Sequence, residues 1–370
     1  MERLKNPVAV YVHTPFCPTK CGYCDFNSYA MSGDIMARTT SAMIQEIERS
    51  PWRGAPAKTI FFGGGTPTYL PSEQLVALLK AVIAAHPPVH KCEITSEANP
   101  GTVDAERFSA MREAGFNRIS LGAQSFFDSD LLTLGRIHQA GHIEKAVKAA
   151  RDAGFENMNV DLMFALPGQS QKAWEHNLQR AIDLGTDHLS LYGLTLEPNT
   201  PFYKQHLKGQ LTMPEEEDQV RMYNAAITKT AEASFEQYEI SNFAKPGLEC
   251  LHNLCYWHNE HYAGYGPGAV GFMDSRRYTN LKHPERYCAA VESGEKLWFE
   301  EENLSQENQR MERLMLGLRL NEGLDVSGLA LDPGKLEKAE GQGWITSEGS
   351  RIKLTDEGRH FCSEVTLLLV

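Results

Sequence analysis

Three cysteines, Cys17, Cys21 and Cys24, stand at C-x3-C-x2-C spacing in the stretch TPFCPTKCGYCDFNSY. They fall in a loop broken by Pro15, Pro18 and Gly22, where thiols serve as ligands or as redox partners. A structural zinc site closes a tetrahedron with four protein ligands, and the chain has no second C-x2-C pair, so zinc fits poorly. A thioredoxin-like pair would use Cys21 and Cys24 and leave Cys17 over. A 4Fe-4S cluster held by three thiolates uses all of them and leaves one iron open to an outside ligand. The bland alternative is three incidental cysteines.

The elements that must position these thiols follow from periodicity. Six short runs rich in β-branched and aromatic residues recur: VAVYVH, TIFFGGG, CEITSEA, RISLGAQ, NMNVDLMF and HLSLYGL. Amphipathic helical segments such as SEQLVALLKAVIAAH and QKAWEHNLQRAIDLG separate them, several opened by Ser, Thr or Asp and closed by Gly. Strand-helix alternation of this kind predicts an α/β fold, a partial (βα)6 barrel with parallel strands. Sites in such folds gather at the C-terminal strand ends, so Cys17, Gly63 to Thr66, Glu97, Gln124 and Asp161 are expected at one mouth. The expected divisions are a barrel over 1–210, an extension over 211–300 and a smaller C-terminal α+β, winged-helix-like domain over 301–370. The extension carries the aromatic stretch QYEISNFAKPGLECLHNLCYWHNEHYAGYG, and the last unit a helix plus a hairpin around EGS.

With 36 basic and 48 acidic residues the net charge is -12, which argues against nucleic acid as the main partner. No secretory signal and no apolar run long enough to span a bilayer is evident, and eight cysteines in such a chain suggest a reducing, cytoplasmic setting. The other five, Cys92, Cys250, Cys255, Cys288 and Cys362, read as structural.

The three cysteines followed by GGGTP at Gly63 to Pro67 resemble the radical S-adenosylmethionine (SAM) superfamily. The resemblance implies a 4Fe-4S cluster whose open iron takes the amine and carboxylate of SAM, and a 5'-deoxyadenosyl radical on its reduction. YVHTPFC, FFGGGTPTYL, SEANPGT, NRISLGAQSF and NVDLMFALPGQ narrow it to the oxygen-independent coproporphyrinogen III oxidase group. Carried over by position, Tyr11 and Glu97 would contact cluster-bound SAM, with Gly64 at its methionine end. Tyr23, Gly65, Thr66, Gln124, Arg136, Asp161 and Thr195 match a second SAM site. The structural alternative for Arg136 and Asp161 is an ion pair inside the barrel mouth.

Three departures from the oxidase favour one subgroup. Phe26 stands where the oxidase has a fourth cysteine, only ten residues precede Tyr11 where it has a longer arm, and HNLCYW (His252 to Trp257) fits the H-N-x-x-Y-W motif of HemW-type haem chaperones. That resemblance implies haem binding, with His252 as an iron ligand and Tyr256 and Trp257 beside the porphyrin; His258, His261, Cys250 and Cys255 are neighbouring alternatives. The expected function is therefore haem transfer on a scaffold that binds a cluster and SAM. The expected partners are haem, apo haem proteins, an electron donor for the cluster and, peripherally, a membrane surface. The alternative is the oxidase, a radical SAM enzyme that decarboxylates coproporphyrinogen III. A third class, radical modification of RNA, lacks a basic face or an added RNA-binding module.

Overall fold

The computed structural model describes residues 6–370. Six parallel strands form its centre: β1 (Val8–Thr14), β2 (Ala57–Gly64), β3 (Pro88–Ala98), β4 (Arg118–Gln124), β5 (Asn157–Phe164) and β6 (His188–Gly193). Helices α1 (Asp34–Arg49), α2 (Ser72–Ala85), α3 (Ala105–Ala114), α4 (Asp128–Leu134), α5 (Ala140–Asp152) and α6 (Gln171–Asp183) fill the crossovers. Their ends follow local chemistry: Asp104 accepts from the N–H of Arg107 to open α3, and Gly115, at φ 115°, closes it. The expected partial (βα)6 barrel is thus present.

Alternation along the strands divides each one between two environments. Val10, Val12, Ile60, Phe62, Ile119, Leu121, Val160, Leu162, Leu189 and Leu191 join the core against the helices. The intervening positions, among them Glu97, Arg118, Ser120, Asn159, Asp161 and Ser190, line the inner cavity. Parallel strands covered on both faces by hydrocarbon read as continuous apolar runs, so this polar alternation marks a lumen built to hold something other than core.

After α7 (Pro201–Leu207) and α8 (Glu216–Glu232), the chain adds β7 (Glu236–Glu239), β8 (Asn242–Ala244), helix α9 (Leu251–Trp257), β9 (Tyr262–Tyr265), β10 (Val270–Met273), β11 (Arg276–Asn280), α10 (Pro284–Ser293) and β12 (Trp298–Asn303). These strands join both sides of the barrel sheet, giving twelve strands in the order β12-β11-β10-β9-β1-β2-β3-β4-β5-β6-β8-β7. Periodicity did not foresee that β9 pairs in parallel with β1 across some 250 residues of chain; the register runs from Ala9 with Tyr262 to Val12 with Tyr265.

The last unit comprises α11 (Gln306–Gly317), β13 (Leu324–Asp325), α12 (Pro333–Gly341), β14 (Ile345–Glu348), β15 (Arg351–Leu354), α13 (Asp356–His360) and α14 (Cys362–Leu369). It has its own apolar cluster around Leu314, Leu318, Ile345, Ile352, Leu354 and Val365, and β14 and β15 form the expected hairpin. It contacts the extension through Asn321, whose N–H donates to the carbonyl of Tyr238 at 2.9 Å. Among the described residues no helix is long and apolar enough to cross a membrane.

Candidate functional site

The cysteine loop leaves β1 and is pinched shut where the N–H of Cys17 donates to the carbonyl of Tyr29 at 3.1 Å and the N–H of Tyr29 donates to that of Pro15 at 2.7 Å. Its far side is clamped by α4 and α7: Gly22 donates to the Leu134 carbonyl and accepts from the N–H of Phe202. Asn27, at its exit, donates through Nδ2 to the carbonyls of Pro267 and Lys282 at 2.9 and 3.0 Å. His13 joins strand to loop, accepting from the Tyr11 hydroxyl at Nδ1 and donating from Nε2 to the Asn27 carbonyl, each at 2.9 Å.

All three thiols are free and half-buried, and all open on a cavity of about 460 Å³ at the barrel mouth. Burial pushes the Cys24 thiol up to about 11, and charge on Cys21 and Cys17 adds to the rise, as expected for thiols that share one space. Among the described residues no three His, Cys, Asp or Glu converge on the point a single metal ion would occupy. A cubane makes no such demand, since each thiolate binds a different iron; a spread triad on one loop fits a cluster and does not fit zinc.

The glycine segment at the end of β2 lies against this loop because side chains are missing there. A Cβ on Gly64 would meet the His13 ring at 2.4 Å, and one on Gly65 the Phe16 carbonyl oxygen at 2.6 Å. Gly64 also has φ 104°, and its N–H donates to Glu97 Oε2 at 3.1 Å. Burial, and next the charge of Asp161, push the Glu97 carboxyl up to about 8, and burial also raises Asp161. Two such acids make a lumen that favours a cation.

Tyr23, Gly64, Gly65, Thr66, Glu97, Gln124, Arg136, Asp161 and Thr195 line the mouth cavity together with the three cysteines. Arg136 does not pair with Asp161: its Nη2 donates to the Gly122 carbonyl at 2.7 Å and its Nη1 to Cys21 Sγ at 3.8 Å. Asp161 instead accepts from Ser120 Oγ and Asn159 Nδ2. Tyr11 faces a second cavity of about 360 Å³, which adjoins the first at Phe26, Gly64 and Glu97 and is walled by Tyr256 and Tyr262.

His252 lines neither cavity. It is 1% exposed, with Nδ1 hydrogen-bonded to the Thr59 hydroxyl at 2.8 Å and Nε2 to the Tyr256 hydroxyl at 2.9 Å, and it stacks on Phe61. Burial first, then the charges of Arg118 and Lys58, pull its pKa to about 3, so the imidazole is neutral. An iron bond at Nε2 requires the Tyr256 hydroxyl to leave. Trp257 points away from both cavities, its ring covered by the Arg319 guanidinium at 4.5 Å, and the exposed His258 pairs with Glu322 at 2.8 Å.

The reason for this burial is that α9 plugs the inner end of the barrel. No side chain of its own caps it; Glu93 of β3 accepts from the N–H groups of Leu251 and His252 at 2.9 and 3.2 Å. Cys250 and Asn253 thereby become part of the mouth cavity's lining. Glu93, Arg118 and Asn253 were missed from the sequence, although the period-two series Glu93, Thr95, Glu97 and Arg118, Ser120, Gly122 was there to be read.

Comparison with known proteins agrees with this architecture. The Radical SAM superfamily model matches residues 11–181, and the HemN C-terminal domain model matches residues 304–361. The heme chaperone HemW of Bacillus subtilis (strain 168) is 38% identical over 96% of this chain and 97% of its own length. That of Escherichia coli (strain K12) is 36% identical over 98% of both. Among solved structures, the E. coli coproporphyrinogen III oxidase HemN, a radical SAM enzyme, superposes with a TM-score of 0.86 over 100% of this chain and 91% of its own. At 22% identity that likeness speaks to the fold alone.

Proposed function

Because the chain belongs to the HemW family of heme chaperones within the radical SAM superfamily, we propose that it binds haem on a scaffold carrying a 4Fe-4S cluster and SAM, and delivers the haem to apo haem proteins. One observation carries this reading: a single cavity runs from Cys17, Cys21 and Cys24 at the rim to Cys250 and Asn253 of the motif helix. A ligand in the barrel touches both ends, which supports control of haem holding by the cluster and SAM. In this reading no porphyrin is consumed.

When bound, the cluster supplies an open iron for SAM and a route for one electron. The chain's residues do the rest. Cys17, Cys21 and Cys24 hold the cluster; Tyr11, Glu97 and Gly64 hold the first SAM; Tyr23, Gly65, Thr66, Gln124, Arg136, Asp161 and Thr195 form the second SAM site. Glu97, oriented by the Gly64 N–H, offers its carboxylate to a cation. His252 ligates haem iron once Tyr256 turns out of its hydrogen bond. An electron donor approaches the loop from solvent, a route supported by Phe26, which is 60% exposed two residues beyond Cys24.

The test is an anaerobic haem titration followed by absorbance, with a parallel incubation of the same reconstituted protein with coproporphyrinogen III, SAM and a reductant. A saturable Soret shift near one haem per chain without decarboxylated porphyrin is expected. Protoporphyrinogen formation with only loose haem binding would make the chain an oxidase.

A further inference from the structure

At the inner end of the mouth cavity stands Arg118, the first residue of β4. It is 2% exposed, among the largest fully enclosed side chains of the protein, and still lines the cavity. Its Nε has no hydrogen-bond partner, and among the described residues no carboxylate lies within ion-pair distance of the guanidinium. The half-buried Arg319 of the C-terminal unit also has an unpartnered Nε but differs in having a carboxylate, Glu239, at 3.1 Å.

Of the groups whose charge reaches Arg118, Cys250 first, the two carboxylates are committed elsewhere. Glu93 caps α9 through the N–H groups of Leu251 and His252, and Asp161 accepts from Asn159 at 2.6 Å and Ser120 at 3.3 Å. Leaving a charge buried and unpaired is more costly than an ordinary strand position would bear. Against the inner end of a ligand cavity, the same charge is a receptor. A guanidinium presents a rigid fork of donors that matches a carboxylate two-to-two, and the Ser120, Asn159, Ser190 and Asn253 side chains line the cavity with it.

We propose that Arg118 is the anchor for a carboxylate of the ligand taken into the barrel, borne either by a propionate of the tetrapyrrole or by the methionyl end of a SAM molecule. The inference rests on the proposed function only for the identity of the carrier; the receptor chemistry stands on the cavity itself. A propionate so held would set the depth and tilt of a porphyrin against the motif helix, beside Asn253 and Cys250.

The experiment uses the anaerobically reconstituted full-length protein, its Arg118→Gln and Arg118→Lys variants, and three probes: haem, haem dimethyl ester and SAM. If a propionate is the anchor, Arg118→Gln binds haem roughly 30-fold or more weakly, Arg118→Lys recovers part of the loss, and the dimethyl ester binds wild type and variant alike. If SAM is the carrier, the loss and partial rescue fall on SAM and leave haem unchanged. Equal affinity of wild type and Arg118→Gln for all three probes overturns the proposal, as does an equal loss of haem and its ester. Should Arg118→Gln fail to fold, Arg118→Lys and wild type decide. Wild type that holds the ester as tightly as haem, with SAM bound equally by wild type and Arg118→Lys, refutes the anchor. If wild type binds no haem, the proposed function fails, while the SAM arm still tests Arg118.

Discussion

The rim of the barrel and its floor are made from the same kinds of side chain put to opposite uses. At the rim, three thiols, a glycine segment and the raised-pKa carboxyl of Glu97 face a cavity. On the floor, the histidines of the motif helix spend their capacity on neighbours: His252 on Thr59 and Tyr256, His258 on Glu322. Unspent hydrogen-bonding capacity identifies residues that wait for a ligand, and spent capacity identifies those that hold a wall in place. Among the groups that line the cavity, Asn253 and Arg118 are by this measure the floor's receptive ones, and His252 is reached only after a rearrangement.

The largest expected contrast comes from the cysteines. Replacing Cys17, Cys21 or Cys24 with Ala should abolish the visible absorbance of the reconstituted cluster while the thermal transition of the apo protein hardly moves, since all three thiols are half-buried. A stable cluster in any of these variants would erase the distinction. Next, Glu93→Ala should do the reverse. Losing the acceptor of two α9 N–H groups costs about 3 kcal/mol in denaturant unfolding, with the cysteine loop still able to take up iron and sulfide.

The two regions should also respond to pH with opposite signs. Glu97, at about 8 when folded, binds more protons in the native state than unfolded, so its contribution falls as pH rises from about 4.5 toward 8; Glu97→Gln should flatten apo melting curves across that window. His252, at about 3 when folded against 6.5 unfolded, contributes stability that is full above 6.5 and lost as pH falls toward 3. His252→Gln should remove that acid-side slope, of at most about 1.4 kcal/mol per pH unit for one group. The smallest expected effect is that of Asn27→Ala, about 1 kcal/mol per lost hydrogen bond, seen as faster protease cleavage within residues 17–27.

How much of this was legible depended on whether the signal was local. The six barrel strands, their helices and the cysteine loop declare themselves through period, caps and spacing within a few residues. The C-terminal hairpin did so as well, through alternation around Gly349. What stayed hidden was long-range. Nothing near Tyr262 says that it lies beside Ala9, and nothing in HNLCYW says that its cap is Glu93, some 160 residues earlier. The motif drew attention to His252 through its type, yet the chemistry of a histidine depends on what its nitrogens already touch. Arg118 was equally visible as a letter, but its lack of a partner is a property of three dimensions alone.

The parallel pairing of β1 with β9 bears on the order in which the protein is made. β1 leaves the ribosome some 250 residues before one of its two neighbours, which emerges only near residue 262, and Asn27 finds its second carbonyl at Lys282. Until then the exit of the cysteine loop at Asn27 lacks both of its carbonyl partners and one edge of the nascent sheet is bare. Contacts this distant along the chain form late and slowly. Iron and sulfide therefore meet a finished cradle only once the chain has been made past Lys282, which places cluster loading after the β9 to β11 segment has joined the sheet.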